Sequence, residues 1–71
     1  MSAFAETLAR AKAHQSAGRF QAALDDLLAA LQLDANHAEV HYLTGVALVG
    51  LGRWDEAIDA LRTSLRIQPG D

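Results

Sequence analysis

The sequence predicts an all-α fold of four antiparallel helices, arranged as two consecutive helix-turn-helix units. Alanine and leucine, both strong helix formers, contribute 15 and 11 of the 71 residues, and there is a single proline. The triplet Gly18-Arg19-Phe20 returns 34 residues later as Gly52-Arg53-Trp54. Apolar residues between these triplets recur at spacings of three and four, the period of an amphipathic helix. A fixed interval favours a repeat array over a four-helix bundle, whose loops need not repeat.

Length, composition and charge exclude several classes of protein. A chain of 71 residues forms one small domain, residues 1–71, and the absence of cysteine excludes a disulfide framework and thiolate sites. The net charge is −3 and acidic and basic residues are interspersed, so the chain has no positive potential that would attract nucleic acid or an anionic membrane. The longest uncharged run, residues 41–52, is too short to cross a bilayer, and the start does not resemble a signal peptide. We therefore expect a cytoplasmic chain.

The first unit is predicted to contain helices over residues 3–17 and 20–33. Ser2 is placed to cap the first helix, and Gly18 stands where a left-handed residue would end it. The second helix carries apolar residues on one face, at positions 20, 23, 24, 27, 28 and 31.

The second unit is predicted to repeat this arrangement. Asn36 followed by Glu39 resembles a capping box, so the third helix should start at residue 37 or 38 and run to 51, before Gly52. The fourth helix should run from residue 54 or 55 to 67, before Pro69. Its acids come early and its bases late, which complements the helix dipole.

The repeated residues resemble the tetratricopeptide repeat family, whose unit is a helix-turn-helix of about 34 residues. The second unit, residues 38–71, is the better match, through Gly45 and the stretch GRWDEAIDAL. The first unit, residues 4–37, departs from the pattern at Ala11 and Ala35, as suits a terminal repeat. The resemblance implies a fragment of a right-handed α-solenoid. Small residues are expected where helices approach closely, namely Ala23, Ala57, Gly45 and Ala47.

The resemblance also implies a concave groove, lined by the first helix of each unit, that binds a peptide or a protein surface. Tyr42 is the strongest single candidate for a partner contact. Leu8, Val46 and Val49 have an equally simple alternative as packing residues between helices. The candidate groove residues are Leu8, Lys12, Gln15 and Ser16 from the first unit and Glu39, Tyr42, Val46 and Val49 from the second.

Some members of this family clamp the C-terminal carboxylate of heat-shock chaperones with paired Lys, Asn and Arg side chains. Lys12 is the one candidate for such a clamp here, and Leu8 and Leu43 stand where polar groups would be needed. The sequence therefore does not favour a chaperone tail as the ligand.

No residue pattern predicts catalysis, a cofactor or a functional metal site. His37 and His41 are four residues apart, but they lack a third strong ligand and any HExxH motif. The serines have no positioned base, and no glycine-rich phosphate loop is present. We expect a protein that is not an enzyme.

Two repeats are fewer than a stable array usually needs, because each unit covers its neighbour's apolar face. Parts of Leu61, Leu65 and Ile67 on the fourth helix are expected to lack a cover. Either the chain is the N-terminal piece of a longer protein, or copies associate by docking or by swapping a hairpin across residues 34–37. The predicted function is a protein interaction module that binds through its groove. The alternative is a homo-oligomeric assembly module that acts through the fourth helix.

Overall fold

The computed structural model describes residues 2–70 and confirms the all-α prediction. The four helices are α1 (Ala3–Ser16), α2 (Phe20–Leu33), α3 (Ala38–Gly50) and α4 (Trp54–Ile67). α1 and α3 each end one residue before the predicted boundary, because Ala17 and Leu51 are the C-caps rather than helical residues. The other boundaries agree with the sequence-based assignment.

The two glycine turns are equivalent, as the repeat predicts. Gly18 and Gly52 have φ values of 77° and 74°, in the left-handed region that favours glycine. The N–H of Arg19 donates to the carbonyl of His14 at 2.9 Å, and that of Arg53 donates to Leu48 at 2.9 Å. The N–H groups of the two glycines donate three residues back, each at 3.0 Å, and the two bonds together form the Schellman motif that ends a helix. The same backbone device therefore reverses the chain in both units.

Of the two predicted side-chain caps, one is confirmed and the other is wrong. The Ser2 hydroxyl accepts from the N–H of Ala5 at 3.0 Å, so it caps α1. The expected capping box at the start of α3 does not form, because the N-cap is His37 and its side chain makes no capping bond. Asn36 lies one residue too early, and its N–H donates to Oδ1 of Asp34 at 3.2 Å. The 34–37 connection is thus shaped by a local Asp turn.

The packing order identifies an open array rather than a closed bundle. α1 packs on α2, α2 on α3 and α3 on α4, and α1 also contacts α3. Within residues 2–70, α4 packs on neither α1 nor α2. A closed bundle would bring the first and last helices together. α3 is consequently the central helix, with neighbours on several sides.

The core is made mostly of small side chains, so the helices approach closely. The alanines predicted at the crossings, Ala23, Ala47 and Ala57, are buried, and so is Gly45. Leu27 and Val40 are the largest fully buried side chains. The buried apolar residues are Leu8, Ala11, Ala23, Leu24, Leu27, Ala30, Val40, Ala47, Leu48 and Ala57.

A polar network covers the outer edge of the first hairpin. The guanidinium of Arg10 on α1 donates to both carboxylate oxygens of Asp26 on α2, at 3.0 and 3.2 Å. This bidentate pair raises the pKa of Arg10, through the hydrogen bond first and the charge of Asp26 second. Arg19 Nε donates to Nδ1 of His14 at 3.0 Å, and the other ring nitrogen of His14 lies 3.7 Å from Asp26. The first unit thus presents polar groups at its outer end.

Candidate protein-binding face

Four candidate residues of α3 lie on one side of that helix. Glu39, Tyr42, Val46 and Val49 follow spacings of three and four, which places them within roughly 80° of one another around the axis. The side chain of Glu39 reaches α1, where Oε2 lies 3.0 Å from Nζ of Lys12. This contact places the Glu39 end of the row beside α1. We call the surface formed by Lys12, Ser16, Glu39, Tyr42, Val46 and Val49 the α1–α3 face.

The α1–α3 face combines an apolar row with one ion pair. Tyr42 is 53% exposed and Val49 41% exposed, whereas Val46 is half-buried. Ser16 is exposed on α1. Exposed large apolar side chains in a row on a small domain are typical of an interaction surface. Tyr42, with an apolar ring and a polar hydroxyl, suits contact with both kinds of partner group.

Two other candidates lie beneath this surface rather than on it. Leu8 is only 9% exposed and belongs to the core, so its alternative role as a packing residue is the one observed. Gln15 is half-buried, and its Oε1 atom is buried without a hydrogen-bond partner among the described residues. Both residues therefore leave little surface for a partner.

The ion pair between Lys12 and Glu39 leaves the α1–α3 face with one positive and one negative charge side by side. Both side chains are about half-exposed, so solvent screens the pair, and its contribution to stability is at most about 1 kcal/mol. Its larger effect is to place a carboxylate beside the lone lysine. The sequence could not indicate this contact, because the two residues belong to different units and meet only when α3 packs beside α1.

A second apolar surface runs along α4. Trp54, Ile58 and Leu65 are exposed by 62%, 47% and 60%, and half-buried Leu61 lies in the same row. We call these four residues the α4 stripe. Half-buried Ile67 lies roughly 150° around the helix from the centre of the stripe. A shallow cavity of about 340 Å³, lined by residues 52–56, lies at the Trp54 end of the stripe.

Leu61 and Leu65 were predicted from the sequence to lack a cover, whereas Trp54 and Ile58 were not. A signal for these two was present, because they are the repeat equivalents of Phe20 and Leu24. Those two residues of α2 are covered by α3, so their counterparts need a similar cover.

Comparison with known proteins agrees with this architecture of two equivalent hairpins. A family model described as tetratricopeptide repeat matches residues 8–71. The chain belongs to the tetratricopeptide repeat family. A stretch of 52 residues is also 36% identical to the Hsp70/Hsp90 co-chaperone cns1 of Schizosaccharomyces pombe. The match covers 73% of this chain but 14% of that protein, so this tetratricopeptide repeat chain corresponds to a small part of its relative.

The described part of this repeat protein contains neither a cluster of metal-ligating side chains nor a membrane-spanning helix. Among residues 2–70, no three His, Cys, Asp or Glu side chains are grouped to hold a metal ion. His41 Nε2 is 2.8 Å from the carbonyl of Ala35, while Nδ1 of His37 is buried and has no hydrogen-bond partner within residues 2–70. None of the four described helices is long and apolar enough to span a bilayer.

Proposed function

We propose that this tetratricopeptide repeat chain is a protein interaction module that binds a peptide or protein segment on its α1–α3 face. The observation that carries the proposal is the exposed row of Tyr42, Val46 and Val49 beside the Lys12–Glu39 pair. Membership of the repeat family and the match to a co-chaperone support a role in protein recognition rather than in catalysis.

The chemistry of the face favours a partner that supplies apolar side chains. Tyr42 and Val49 offer the largest exposed area, and a partner that covers them removes apolar surface from water. The paired charges at one edge offer both a donor and an acceptor, and neither sign dominates. We infer that apolar contact provides most of the affinity and that the ion pair orients the partner.

The name of the matched co-chaperone suggests the C-terminal peptides of Hsp70 and Hsp90 as ligands. The wild-type α1–α3 face is poorly suited to them. A peptide ending in a carboxylate would have to take Lys12 away from Glu39, whose own carboxylate lies 3.0 Å from the lysine nitrogen. We therefore propose that C-terminal peptides of Hsp70 and Hsp90 bind weakly to this chain. Glu39→Gln, which removes the competing charge, is expected to strengthen their binding several-fold.

The proposal is tested by selecting ligands from a random peptide library on the wild-type chain. The affinity of a selected synthetic peptide is then measured by fluorescence anisotropy for each variant. Tyr42→Ala is expected to weaken binding by about tenfold or more, as loss of a central aromatic contact does. Circular dichroism should show unchanged helical content, because Tyr42 is exposed.

Leu28→Ala is the matched control, because Leu28 is exposed to a similar degree but lies on α2. It should leave the affinity unchanged. Equal affinity of the wild type and Tyr42→Ala would show that the peptide binds elsewhere and would refute the assignment of the face.

A further inference from the structure

The exposed row on α3 has the spacing of a seam between packed helices. Glu39, Tyr42, Val46 and Val49 are separated by three, four and three residues, as are the a and d positions of a heptad. The opposite side of α3 lies in the core, where Val40 is fully buried. Among the described residues, the uncovered strip of α3 is thus about as wide as one helix–helix seam.

A groove between α1 and α3 runs beside this strip. The two helices touch only lightly, whereas both pack on α2. Lys12 reaches Glu39 at the end where α3 begins, and Ser16 is exposed further along α1. Lys12 and Ser16 are the repeat equivalents of Val46 and Gly50, and they stay exposed although α3 lies beside α1. Positions of this kind are therefore open even in a unit that another unit follows.

An extended peptide would find few partners for its main chain on this strip. Over the distance of about 10.5 Å from Tyr42 to Val49, such a peptide has about three residues, each with an N–H and a C=O group. The two valines of the row offer no hydrogen-bonding side chain. Lys12 and Glu39 are paired with each other, and Oε1 of Gln15 is buried. Main-chain groups pressed against the row would lose their bonds to water without replacement.

A helical ligand avoids this cost, because its main-chain groups form hydrogen bonds with one another. Its apolar residues at i, i+3 or i+4, and i+7 would meet the row at the same spacing. These anchors extend over two helical turns, which is also the length of the row from Tyr42 to Val49.

The charges at the two ends of the face favour one direction for such a helix. The starts of α1 and α3 are adjacent, since the rings of Phe4 and His37 lie 5.0 Å apart, so their ends also lie on one side. Glu6 and Glu39 complement the positive starts of the two helices. The last turn of α3, which contains Val49, has no basic residue. The positive N-terminal end of a ligand helix is therefore favoured near Val49.

We propose that the ligand of the α1–α3 face is an amphipathic α-helix that packs antiparallel to α3. Its apolar residues at i, i+3 or i+4, and i+7 cover Tyr42, Val46 and Val49. The inference rests on the proposed function, since it specifies the class of ligand that the same face binds.

The first test uses the sequences of peptides selected on the wild-type chain. The random library should contain peptides of about 16 residues, long enough for four helical turns. Apolar residues of the selected peptides should recur at spacings of three and four. Apolar residues at every second position, the period of an extended chain, would overturn the proposal.

The second test changes the backbone of one selected peptide. α-Aminoisobutyric acid at positions outside the apolar stripe confines the backbone to helical angles, so it should tighten binding several-fold by pre-organising the ligand. Proline in the middle of the peptide should weaken binding by about tenfold or more, because it interrupts a helix. Weaker binding with α-aminoisobutyric acid, together with tolerance of proline, would indicate an extended ligand and refute the proposal.

Variants of the chain separate this inference from the proposed function. Tyr42→Ala and Val49→Ala should each weaken binding of the selected peptide, and Leu28→Ala should not. Val49 is included because Leu8, the repeat equivalent of Tyr42, is buried. If neither variant weakens binding, the face is wrongly assigned and the proposed function fails as well. If both weaken it while the peptide behaves as an extended chain, the helical ligand alone is refuted.

The direction of the ligand is measured by NMR. A nitroxide attached to the N-terminus of the selected peptide should broaden the amide signal of Val49 more than that of Glu39. Stronger broadening at Glu39 would refute the antiparallel arrangement.

Discussion

Gly45 on α3 and Leu61 on α4 are in such close contact that no side chain fits between them. A Cβ atom added at Gly45 would lie 2.7 Å from both Cγ and Cδ2 of Leu61, and 3.3 Å from the carbonyl oxygen of Ala57. Real Cβ atoms do not approach that closely. The glycine therefore permits the close approach of the two helices of the second unit.

Gly45→Ala is expected to lower the free energy of unfolding by about 1–2 kcal/mol. Overpacking against α4 costs about 1–3 kcal/mol, and the better helix propensity of alanine offsets part of this. Chemical denaturation followed by circular dichroism measures the change. Gly70→Ala is the control, because no atom lies within 4 Å of the added Cβ there, and it should be neutral. Equal stability of the two variants would contradict the close contact.

The turn glycines offer a matched pair of backbone tests. Gly18→Ala and Gly52→Ala should each destabilise the chain by about 1–2 kcal/mol, because alanine is strained at positive φ. No atom lies within 4 Å of either added Cβ, so strain in the backbone is the whole effect. Asparagine, which tolerates this conformation, should be milder at both positions. A large difference between the two sites would mean that the turns are not equivalent.

The Lys12–Glu39 pair is expected to matter more for binding than for folding. Lys12→Ala should change the stability by less than about 1 kcal/mol, because both side chains are half-exposed. The same variant should alter the affinity for peptides selected on the α1–α3 face. Thermal denaturation and anisotropy titration of one preparation separate the two effects. A large loss of stability with unchanged affinity would reverse this assignment.

The Arg10–Asp26 pair is expected to stabilise the first hairpin in a salt-dependent way. Arg10→Ala removes two hydrogen bonds to Asp26, whose side chain is only 16% exposed. We expect a small loss of stability at low ionic strength, because Arg10 itself is largely solvated, and a smaller loss in 1 M salt. Arg66→Ala on α4 serves as the control at low protein concentration. A loss that does not change with salt would indicate packing rather than charge.

Features that depend on adjacent residues were predicted correctly from the sequence, with one exception. The left-handed turns at Gly18 and Gly52 follow from the conformational freedom of glycine, and the Ser2 cap follows from its position before a run of helix formers. The capping box at Asn36 was predicted wrongly, although its residues match the motif. A capping box requires its first residue to be the N-cap, but the N-cap of α3 is His37, and the N–H of Asn36 is bonded to Asp34 instead.

The candidate site was less accessible to sequence reasoning. Helical spacing grouped Tyr42, Val46 and Val49 correctly on one side of α3, but it could not separate an exposed residue from a packed one such as Leu8. That distinction depends on which helix lies alongside, and a residue's own periodicity contains no information about its neighbour. The exposure of Trp54 and Ile58 is different, because their repeat equivalents Phe20 and Leu24 already indicated in the sequence that these two residues need a cover.

The period of 34 residues, the turn glycines and the apolar spacing were enough to specify four helices in two equivalent hairpins, because each acts through residues that are close in the chain. The tertiary structure alone decided that Lys12 is paired with Glu39 and that Leu8 is buried. These facts arise from contacts between helices that are distant in sequence. Both candidate surfaces of this repeat protein are therefore consequences of packing, built on elements that the local sequence had already specified.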